Sequence, residues 1–222
     1  MLSHHDKTGL VYREELKELY IIKEQSLYKK LNFKNKIFMD IGAHIGATTN
    51  MALTNGASKC ICYEPMPETY EILKMNVGSR AEIHQKALVN NNDKSVKFYI
   101  HNKYPSCNSV LPIKNSKSIE VETLNFEDEL QKHKPEILKV DCEGSEFLLF
   151  ENLQIPDFIE EIAFELHLNR KAKKEKAIEL MHKFDDWYVH RKFKFNWYVA
   201  IAVLKKNIQS EYGKVKDYMA EL

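Results

Sequence analysis

The sequence predicts an α/β fold with a mostly parallel β-sheet. Strand-like apolar runs alternate with helix-like amphipathic runs along the 222 residues, and this alternation is typical of a parallel sheet that helices cover on both faces. The last two strand-like runs are adjacent, which predicts an antiparallel hairpin at one edge of the sheet. The length suits a single domain, in which we expect an N-terminal helical extension (1–35), a core (36–204) and a C-terminal tail (205–222).

The N-terminal part is predicted to alternate between helix and strand. Leucines at roughly helical spacing predict an amphipathic helix over 13–31. Three elements follow, namely the strand KIFMDI (36–41), a helix near 46–55 and the strand KCICYE (59–64). A further helix, PETYEILKMNV, begins at Pro67 because the fixed φ of proline suits the first helical turn.

The rest of the chain continues this alternation. Further strand-like runs lie at 82–89, 95–101, 119–123, 136–141 and 160–166. Helices are predicted at 125–134 and 170–184, and the apolar segment EFLLFENL (146–153) precedes the strand at 160–166. A polar loop covers 102–118, and the runs WYVHRKFKF (187–195) and NWYVAIAVL (196–204) form the predicted hairpin.

The composition and charge argue against several classes of function. Hydrophobic residues make up 44% of the chain and charged residues 29%, while the formal net charge is only +1. No overall field therefore favours nucleic acid or an anionic membrane as a partner. No run approaches the roughly 18 apolar residues of a membrane span, and the N-terminus lacks the pattern of a signal peptide. The four cysteines form no C-x-x-C pair, so we expect a reduced, cytoplasmic protein without a disulfide framework or a zinc knuckle.

Two glycines follow the first predicted strand of the core. Gly42 and Gly46 are two of only 7 glycines in the chain, and Asp40 lies just before them. Their G-x-x-x-G spacing differs from the G-x-G-x-x-G turn that binds a pyrophosphate. An acid beside the first glycine would repel a pyrophosphate but suits a cation, and S-adenosylmethionine carries both a sulfonium and an ammonium group.

A second acid, Glu64, ends the next strand of the core. In nucleotide-binding sheets an acid near this position accepts hydrogen bonds from ribose hydroxyls. Either Asp40 or Glu64 alone could equally be a helix cap. Both acids together, at the ends of two strands, favour a site for the methyl donor S-adenosylmethionine.

Two later strands also end in ionisable groups. Lys139 interrupts a strand that should be buried on both faces, where an unpaired lysine is costly, and it shares a face with Asp141. A structural ion pair between these two residues is one interpretation. Glu165 and His167 share a face at the end of the following strand. We expect Asp141, Glu165 and His167 to meet at one rim, where two carboxylates and an imidazole suit Mg²⁺, Mn²⁺ or another divalent cation.

Four segments resemble the successive motifs of FkbM-type methyltransferases. They are DIGAHIG (40–46), YEPMPETYEIL (63–73), QKALV (85–89) and LKVDCEGSEF (138–147). The resemblance extends from about Lys36 to about His167, and its most specific parts are K-V-D-C-E-G-S-E and Y-E-P. It implies a Rossmann-like class I methyltransferase fold with a seven-stranded sheet. It also implies S-adenosylmethionine as donor and O-methylation as reaction, commonly of sugar hydroxyls.

The resemblance implies roles for individual residues as well. Those assigned to the donor site are Asp40, Gly42, Ala43, His44, Gly46, Glu64, Pro65, Ala87, Leu88 and Asp141. Among them, Glu64 would hold the ribose, while Ala87 and Leu88 would flank the adenine. Glu143 and Glu146 fall on the acidic motif of the family and are expected on the acceptor side.

The expected chemistry is an in-line methyl transfer to a hydroxyl group that must be oriented and deprotonated. Asp141, His167 and Lys139 are the predicted catalytic residues. A divalent cation at the rim would lower the pKa of the hydroxyl; alternatively, His167 acts as the base, or Lys139 does so with a pKa lowered by burial. Asn108 and Ser109, in the polar loop, are candidates for contacts with acceptor or donor.

Other interpretations of the sequence are possible. A nicotinamide-dependent oxidoreductase could use an irregular glycine turn, and a methyltransferase-like fold could be a binding module without catalysis. The segment DCEG (141–144) stands where base N-methyltransferases have an N/D-P-P-Y/F turn, so a small molecule or a glycan is the expected acceptor. The helix over 13–31 is expected to pack over the donor pocket or at a homodimer interface, or only to cap the sheet.

Overall fold

The computed structural model describes residues 1–24, 28–101, 104–167, 174–191, 199–210 and 213–220. In chain order, the strands are β1 (Leu2–His4), β2 (Val11–Arg13), β3 (Ile37–Ile41), β4 (Lys59–Tyr63), β5 (Glu82–His84), β6 (Ala87–Val89), β7 (Ser95–Ile100), β8 (Lys117–Asn125), β9 (Ile137–Val140), β10 (Glu161–His167), β11 (Tyr188–Arg191) and β12 (Val199–Lys205). The α-helices are α1 (Leu19–Glu24), α2 (Ala47–Thr54), α3 (Pro67–Val77), α4 (Phe126–His133), α5 (Glu146–Phe150), α6 (Lys174–His182) and α7 (Val215–Ala220). Within these ranges, every helix is too short or too polar to cross a membrane.

A seven-stranded sheet forms the centre of the fold, with the strand order β11-β12-β10-β9-β3-β4-β5. Neighbouring strands are parallel from β10 to β5, whereas β12 is antiparallel to both β10 and β11. The predicted mostly parallel sheet with an antiparallel C-terminal strand is therefore confirmed. Because β3 lies between β4 and β9, the strand order reverses there, and ligands of such sheets bind beyond the carboxyl ends at this point.

Both faces of this sheet are buried, which explains why its strands are nearly continuous apolar runs. Adjacent residues of β3 point to opposite faces. Met39 packs in a cluster that includes Phe150 and Phe164, whereas Phe38 packs in a second cluster with Phe33. The rings of Phe38 and Phe33 meet edge to face, with centroids 5.1 Å apart.

Local signals place two of the helices accurately. α3 begins at Pro67 and ends before Gly78, as the pattern predicts. α4 begins after Asn125, whose side-chain oxygen accepts a hydrogen bond from the backbone N of Asp128 at 3.1 Å. The helix predicted over 170–184 is described only from Lys174, since 168–173 lie outside the described residues.

A second, three-stranded sheet has the order β6-β8-β7. β6 is parallel to β8, and β7 is antiparallel to it. The single strand predicted over 82–89 is therefore wrong, because β5 pairs with β4 in the large sheet and β6 pairs with β8 in the small one. A change of hydrogen-bonding partner leaves no mark in the local apolar pattern, so the sequence did not reveal it.

The N-terminal segment contains a shorter helix than predicted. The helix expected over 13–31 is reduced to α1, and β1 and β2 precede it as an antiparallel pair. A turn of 3-10 helix at Glu14–Leu16 lies between β2 and α1. Residues 25–27 lie outside the described residues, and 28–30 form a turn.

Two residues explain the interruption before α1. Lys17 has a left-handed conformation with a φ of 57°. Glu18 accepts hydrogen bonds from the backbone N (2.7 Å) and the Nε (2.9 Å) of Arg13. The guanidinium of Arg13 also donates to Thr69 Oγ1 on α3, at 2.9 Å. These contacts end the regular helical path and fasten the N-terminal segment to the core.

Candidate active site

A cavity of about 330 Å³ lies at the carboxyl ends of β3, β4, β9 and β10. Its position is that of a ligand site in an open α/β sheet. The predicted donor-site residues that line it are Gly42, Ala43, His44, Glu64, Pro65, Ala87, Leu88 and Asp141. The predicted catalytic, metal and acceptor-side residues that line it are Asn108, Lys139, Asp141, Glu143, Glu165 and His167.

The turn after β3 brings three strand ends together. Gly42 has a φ of 74°, in the left-handed region that favours glycine. A Cβ atom there would lie 1.8 Å from the carbonyl oxygen of Asp141, so glycine is needed for the turn to lie against the chain that leaves β9. The backbone N–H groups of Gly42 and Ala43 both donate to the carbonyl oxygen of Tyr63 on β4, each at 3.0 Å.

Gly46 and Asp40 support this turn and do not line the cavity. Gly46 has a φ of 80°, and a Cβ atom there would lie 2.6 Å from Leu73 Cδ1, so this glycine permits close packing of α2 on α3. Asp40 is fully buried, accepts a hydrogen bond from Thr49 Oγ1 (2.7 Å) and lies 3.2 Å from Lys139 Nζ. The expected direct contacts of both residues with the donor are thus corrected to supporting roles.

Lys139 forms the ion pair that one interpretation of the sequence expected. Its Nζ donates to the carbonyl oxygen of Gly42 (2.7 Å) and lies 3.2 Å from Asp40 and 3.4 Å from Asp141. Burial alone would lower the pKa of Lys139, but the two carboxylates outweigh burial and raise the pKa above its ordinary value. Lys139 is therefore a fixed cation, which corrects the expectation of a base with a lowered pKa.

Glu64 faces the cavity from the end of β4. Its Oε2 accepts a hydrogen bond from the backbone N of His44 (3.0 Å), and its Oε1 accepts one from the backbone N of Met66 (2.9 Å). Burial raises the pKa of Glu64 to about 7, although both hydrogen bonds oppose that shift. The carboxyl group is thus held in a fixed orientation and is poised to titrate near neutral pH.

Two side chains at the cavity present polar atoms without a hydrogen-bond partner among the described residues. They are His44, through both ring nitrogens, and Asn108, through Nδ2. Burial lowers the pKa of His44 to about 4, so the ring is neutral. The other amide atom of Asn108, Oδ1, accepts a hydrogen bond from the backbone N of His101 at 2.8 Å. Buried polar atoms of this kind are normally satisfied by ligand or water.

His167, at the end of β10, lies among carboxylates. Its Nδ1 is 3.0 Å from Glu146 Oε1, and its Nε2 is 3.4 Å from Glu143 Oε2. Burial alone would lower the pKa of His167, but the hydrogen bond to Glu146 and the charges of Glu143 and Asp141 raise it to about 10. The ring is therefore protonated at neutral pH, which opposes the expected role of His167 as a metal-free base.

The ligand-type side chains that the structure brings together differ from the group that the sequence predicted. Ligand atoms of Asp141, Glu143 and His167 lie within 4.8 Å of one another. Glu165 Oε1 is 3.9 Å from His167 Nε2, and Glu165 Oε2 accepts a hydrogen bond from Tyr28 OH at 3.4 Å. The third group of the set is thus Glu143 in place of Glu165. Strand alternation could not identify Glu143, because it lies past the end of β9 with a left-handed φ of 55°.

Glu146 and Ser109 fix the loop after β9 and do not line the cavity. Glu146 is fully buried, and its Oε1 accepts hydrogen bonds from the backbone N of Cys142 (3.1 Å) and of Gly144 (3.0 Å). Ser109 is also fully buried and donates to the carbonyl oxygen of Glu143 at 2.7 Å. The expected direct contacts of both residues with a substrate are corrected, since both instead hold the backbone around Glu143.

The N-terminal segment contributes cavity residues that the sequence did not single out. Tyr20 and Ile21 on α1, together with Tyr28, line the cavity. The sequence predicted that this segment would meet the pocket through Leu16, Leu19 and Leu27. Leu16 and Leu19 do not line the cavity, and Leu27 lies outside the described residues. Helical spacing marked the segment as amphipathic, but which residues meet the cavity depends on the path of the chain around Lys17.

Comparison with known proteins identifies the family. The Methyltransferase FkbM domain family matches residues 40–195, which is more than half of the chain. No curated protein sequence matches at a significant level. Among solved structures, a Lactococcus lactis protein provisionally assigned as a hemolysin aligns over 95% of this chain and 96% of its own, with 14% identity and a TM-score of 0.49.

Two further solved structures, both with bound S-adenosylmethionine, also align with this chain. A Streptococcus pneumoniae protein, provisionally assigned as a tRNA (m1A22) methyltransferase, aligns over 85% of this chain and 74% of its own, with 11% identity and a TM-score of 0.49. Magnesium protoporphyrin IX methyltransferase from Synechocystis PCC 6803 aligns over 87% of this chain and 80% of its own, with 8% identity and a TM-score of 0.47. By the match over 40–195, this chain belongs to the FkbM family of S-adenosylmethionine-dependent methyltransferases.

Proposed function

We propose that this methyltransferase transfers the methyl group of S-adenosylmethionine to a hydroxyl group of a sugar or glycan. Family membership supplies the reaction class. The observation that supports oxygen as the acceptor atom is the acidic rim of the cavity, formed by Asp141, Glu143 and His167. A hydroxyl group must lose its proton as it is methylated, and a carboxylate within reach suits that task.

The donor is proposed to lie across the ends of β3 and β4. Backbone N–H groups already fix both carboxylate oxygens of Glu64, and the remaining lone pairs suit the ribose hydroxyls. Ala87 and Leu88 offer an apolar wall to the adenine, with Pro65 beside Glu64. The turn over 42–44 would lie along the methionine end.

The residues of the acidic rim are proposed to prepare the acceptor. S-adenosylmethionine, when bound, supplies a methyl group on a positively charged sulfur. The protein must hold the acceptor oxygen in line with that group and remove its proton. Asp141 is the proposed proton acceptor because it lines the cavity. Its position is fixed by the ion pair with Lys139, whose Nζ lies 3.4 Å from Asp141 Oδ2. Glu143 and the protonated His167 would position the acceptor by hydrogen bonds.

A divalent cation is proposed to assist at the same rim. The residues fit such an ion, because Glu146 accepts a hydrogen bond from Nδ1 of His167 and leaves Nε2 facing Glu143 at 3.4 Å. His167 would give up its Nε2 proton when the cation binds, in place of donating it to the acceptor. With Asp141, this gives two carboxylates and one oriented imidazole, a set that suits Mg²⁺ or Mn²⁺. When bound, the cation would supply Lewis acidity at the acceptor hydroxyl.

The cavity wall is suited to an acceptor with several hydroxyl groups. Tyr28 lies at the wall beside Glu165. Aromatic faces combined with a few placed polar groups are typical of small-molecule sites. Asn108 Nδ2, which has no partner among the described residues, would donate a hydrogen bond to an acceptor oxygen.

Calorimetry tests whether the protein binds the proposed donor, S-adenosylmethionine, or the alternative cofactor, NAD. S-adenosylmethionine is expected to bind and NAD is not. The Glu64→Gln variant serves as a control because Glu64 is assigned to the ribose, which both ligands contain. Binding of NAD in preference to S-adenosylmethionine would support the nicotinamide-dependent oxidoreductase instead.

Turnover on a panel of sugars, glycans and nucleotides tests the acceptor class. Isotopically labelled methyl groups should appear in a sugar or glycan with the wild-type protein and not with Asp141→Asn. Calorimetry must show that both proteins bind the donor. Donor binding without turnover on any acceptor would favour a methyltransferase-like binding module.

A further inference from the structure

A second group of ligand-type side chains lies between the edge strand β5 and the helix α4. Glu82 and His84 are on β5, and His133 is the last residue of α4. One ligand atom from each of the three lies within 4.8 Å of the others. We propose that Glu82, His84 and His133 bind a divalent transition-metal ion of the zinc class, and we call them the edge site.

A cation already occupies the space between two of these residues. Lys59 Nζ lies 2.8 Å from Glu82 Oε2 and 3.4 Å from His133 Nδ1. The ammonium group therefore marks a position where positive charge is stabilised by a carboxylate and faces an imidazole nitrogen. The Lys59 side chain is 44% exposed, so its flexible stem can move into solvent when a metal ion takes its place.

The distances between donor atoms agree with tetrahedral coordination. His84 Nε2 lies 3.0 Å from Glu82 Oε1. Two ligands on tetrahedral zinc, with bonds of about 2.0–2.1 Å, are separated by roughly 3.4 Å, so small side-chain rotations suffice. Two imidazoles and one carboxylate favour zinc, cobalt or nickel over magnesium and calcium, which prefer oxygen ligands. The fourth position would be left to water.

The surroundings of His133 also resemble those of a metal ligand. Its Nε2 lies 3.3 Å from Glu129 Oε2, and that carboxylate oxygen accepts a hydrogen bond from Tyr63 OH at 2.6 Å. A carboxylate that binds one ring nitrogen orients the other nitrogen toward a metal ion. Nδ1 faces Lys59, at the position that a metal ion would take from the ammonium group, while Nε2 also lies 3.6 Å from Glu82 Oε1.

The edge site is connected to the cavity through one side chain. The ring of Tyr63 stacks on His84, with centroids 5.0 Å apart and planes at 13°, and Tyr63 is also a lining residue of the cavity. A metal ion held by β5 and α4 would therefore fix two elements that contact Tyr63. Metal binding is expected to raise the melting temperature of the protein, because the ion binds only the folded arrangement.

Titration with Co²⁺, followed by its visible absorption, tests the edge site. The full chain should carry His167→Gln, so that the acidic rim cannot contribute an imidazole. Saturable binding with tetrahedral absorption bands is expected, and excess Zn²⁺ should abolish them. The changes Glu82→Gln and His84→Gln should each weaken Co²⁺ binding by at least about tenfold. His84 is half-buried, so His84→Gln is the variant expected to remain folded, as circular dichroism can verify.

The Lys59→Met variant distinguishes most clearly between a metal site and an ion-pair network. Removal of the competing ammonium group should tighten Co²⁺ binding, whereas His182→Ala, a change at an exposed histidine on α6, should have no effect. The edge site is excluded if Co²⁺ shows no saturable binding, or if binding is insensitive to both His84→Gln and Glu82→Gln. In those cases the group is only an ion-pair network around Lys59. Neither result alters the proposed methyl transfer, since the edge site lies outside the cavity.

Discussion

Glu64 shows how burial sets the chemistry of a single residue. The residue is only 6% exposed, and burial raises the pKa of its carboxyl group to about 7. Near neutral pH the free protein therefore contains both protonated and charged Glu64. In the proposed donor site, the charged form would accept hydrogen bonds from two ribose hydroxyls, while the protonated form has lost part of that capacity. Donor binding and deprotonation of Glu64 are therefore linked.

The affinity for 5′-deoxy-5′-methylthioadenosine should increase with pH. This probe keeps the ribose hydroxyls and lacks the titrating amino-acid end of the donor. Below pH about 7 the protonated form of Glu64 dominates, so the Kd should fall as the pH rises through about 7 and then level off. Calorimetry should show that Glu64→Gln removes this dependence and costs on the order of 1–3 kcal/mol at pH of about 8. Unchanged affinity in Glu64→Gln would rule out the ribose assignment.

Gly42→Ala should destabilise the protein much more than Gly9→Ala. Both positions have a left-handed φ, 74° and 68°, so both substitutions carry a backbone penalty of about 1–2 kcal/mol. A Cβ atom at Gly42 would also lie 1.8 Å from the Asp141 carbonyl oxygen, whereas a Cβ atom at Gly9 would meet no heavy atom within 4 Å. Urea denaturation should therefore show a further loss of at least about 2 kcal/mol for Gly42→Ala. Equal losses would contradict the close approach of the two strand ends.

At the residue scale, strand ends were predictable and side-chain environments were not. Glu64 and Asp141 were identified because an apolar run followed by an acid marks the carboxyl end of a buried strand. Glu143 and Glu146 belong to one motif, yet only Glu143 lines the cavity, while Glu146 is buried under the loop. The difference comes from left-handed backbone at Glu143, and residue type does not specify that conformation.

At the element scale, the N-terminal segment forms one wall of the cavity. Ile22 packs with Leu10, Ile45 and Ala47 in one apolar cluster, which joins α1 to the start of α2. Because α2 follows the glycine turn directly, this wall is expected beside the methionine end of the donor. Periodicity suggested a longer helix, but the contacts of Glu18 with Arg13 outweigh local helical propensity.

Combined replacement of Tyr20 and Ile21 by alanine should weaken binding of the amino-acid end selectively. The affinity for S-adenosylhomocysteine is expected to fall by about tenfold, as the loss of part of two apolar contacts implies. The affinity for 5′-deoxy-5′-methylthioadenosine should remain nearly unchanged, because that probe lacks the amino-acid end. Met75→Ala, at an exposed site on α3 outside the cavity, is the matched control. An equal loss of affinity for both ligands would show that Tyr20 and Ile21 do not lie beside the amino-acid end of the donor.

At the scale of the whole molecule, the site follows from the order of the strands. The proposed donor-side residues at the cavity follow β3 and β4, and the acidic rim follows β9 and β10. The alternation of elements was enough to predict this sheet, since parallel strands require helical crossovers. The three-stranded sheet was not predictable, because β6 and β8 are separated along the chain and pair only through tertiary contacts.

Removal of divalent cations should abolish turnover and leave donor binding intact. Exhaustive chelation with EDTA followed by added Mg²⁺ tests the acidic rim, because Mg²⁺ disfavours the nitrogen-rich edge site. Added Mg²⁺ is expected to restore full turnover of the wild-type protein. The Glu143→Gln variant should require a much higher Mg²⁺ concentration to recover turnover, while the Glu165→Gln variant should recover at nearly the same concentration as the wild type. Full turnover after chelation would exclude a metal role and leave Asp141 as a metal-free base.

The identity of the methylated atom tests the proposed O-methyl transfer most directly. The protein should be incubated with donor labelled with ¹³C at the methyl group and with the best acceptor of the panel, and the product examined by NMR. A methyl ether is expected, with its carbon bonded to oxygen, and Asp141→Asn should yield none while still binding the donor. A label on nitrogen, carbon or sulfur, formed equally well by Asp141→Asn, would contradict hydroxyl methylation at the acidic rim.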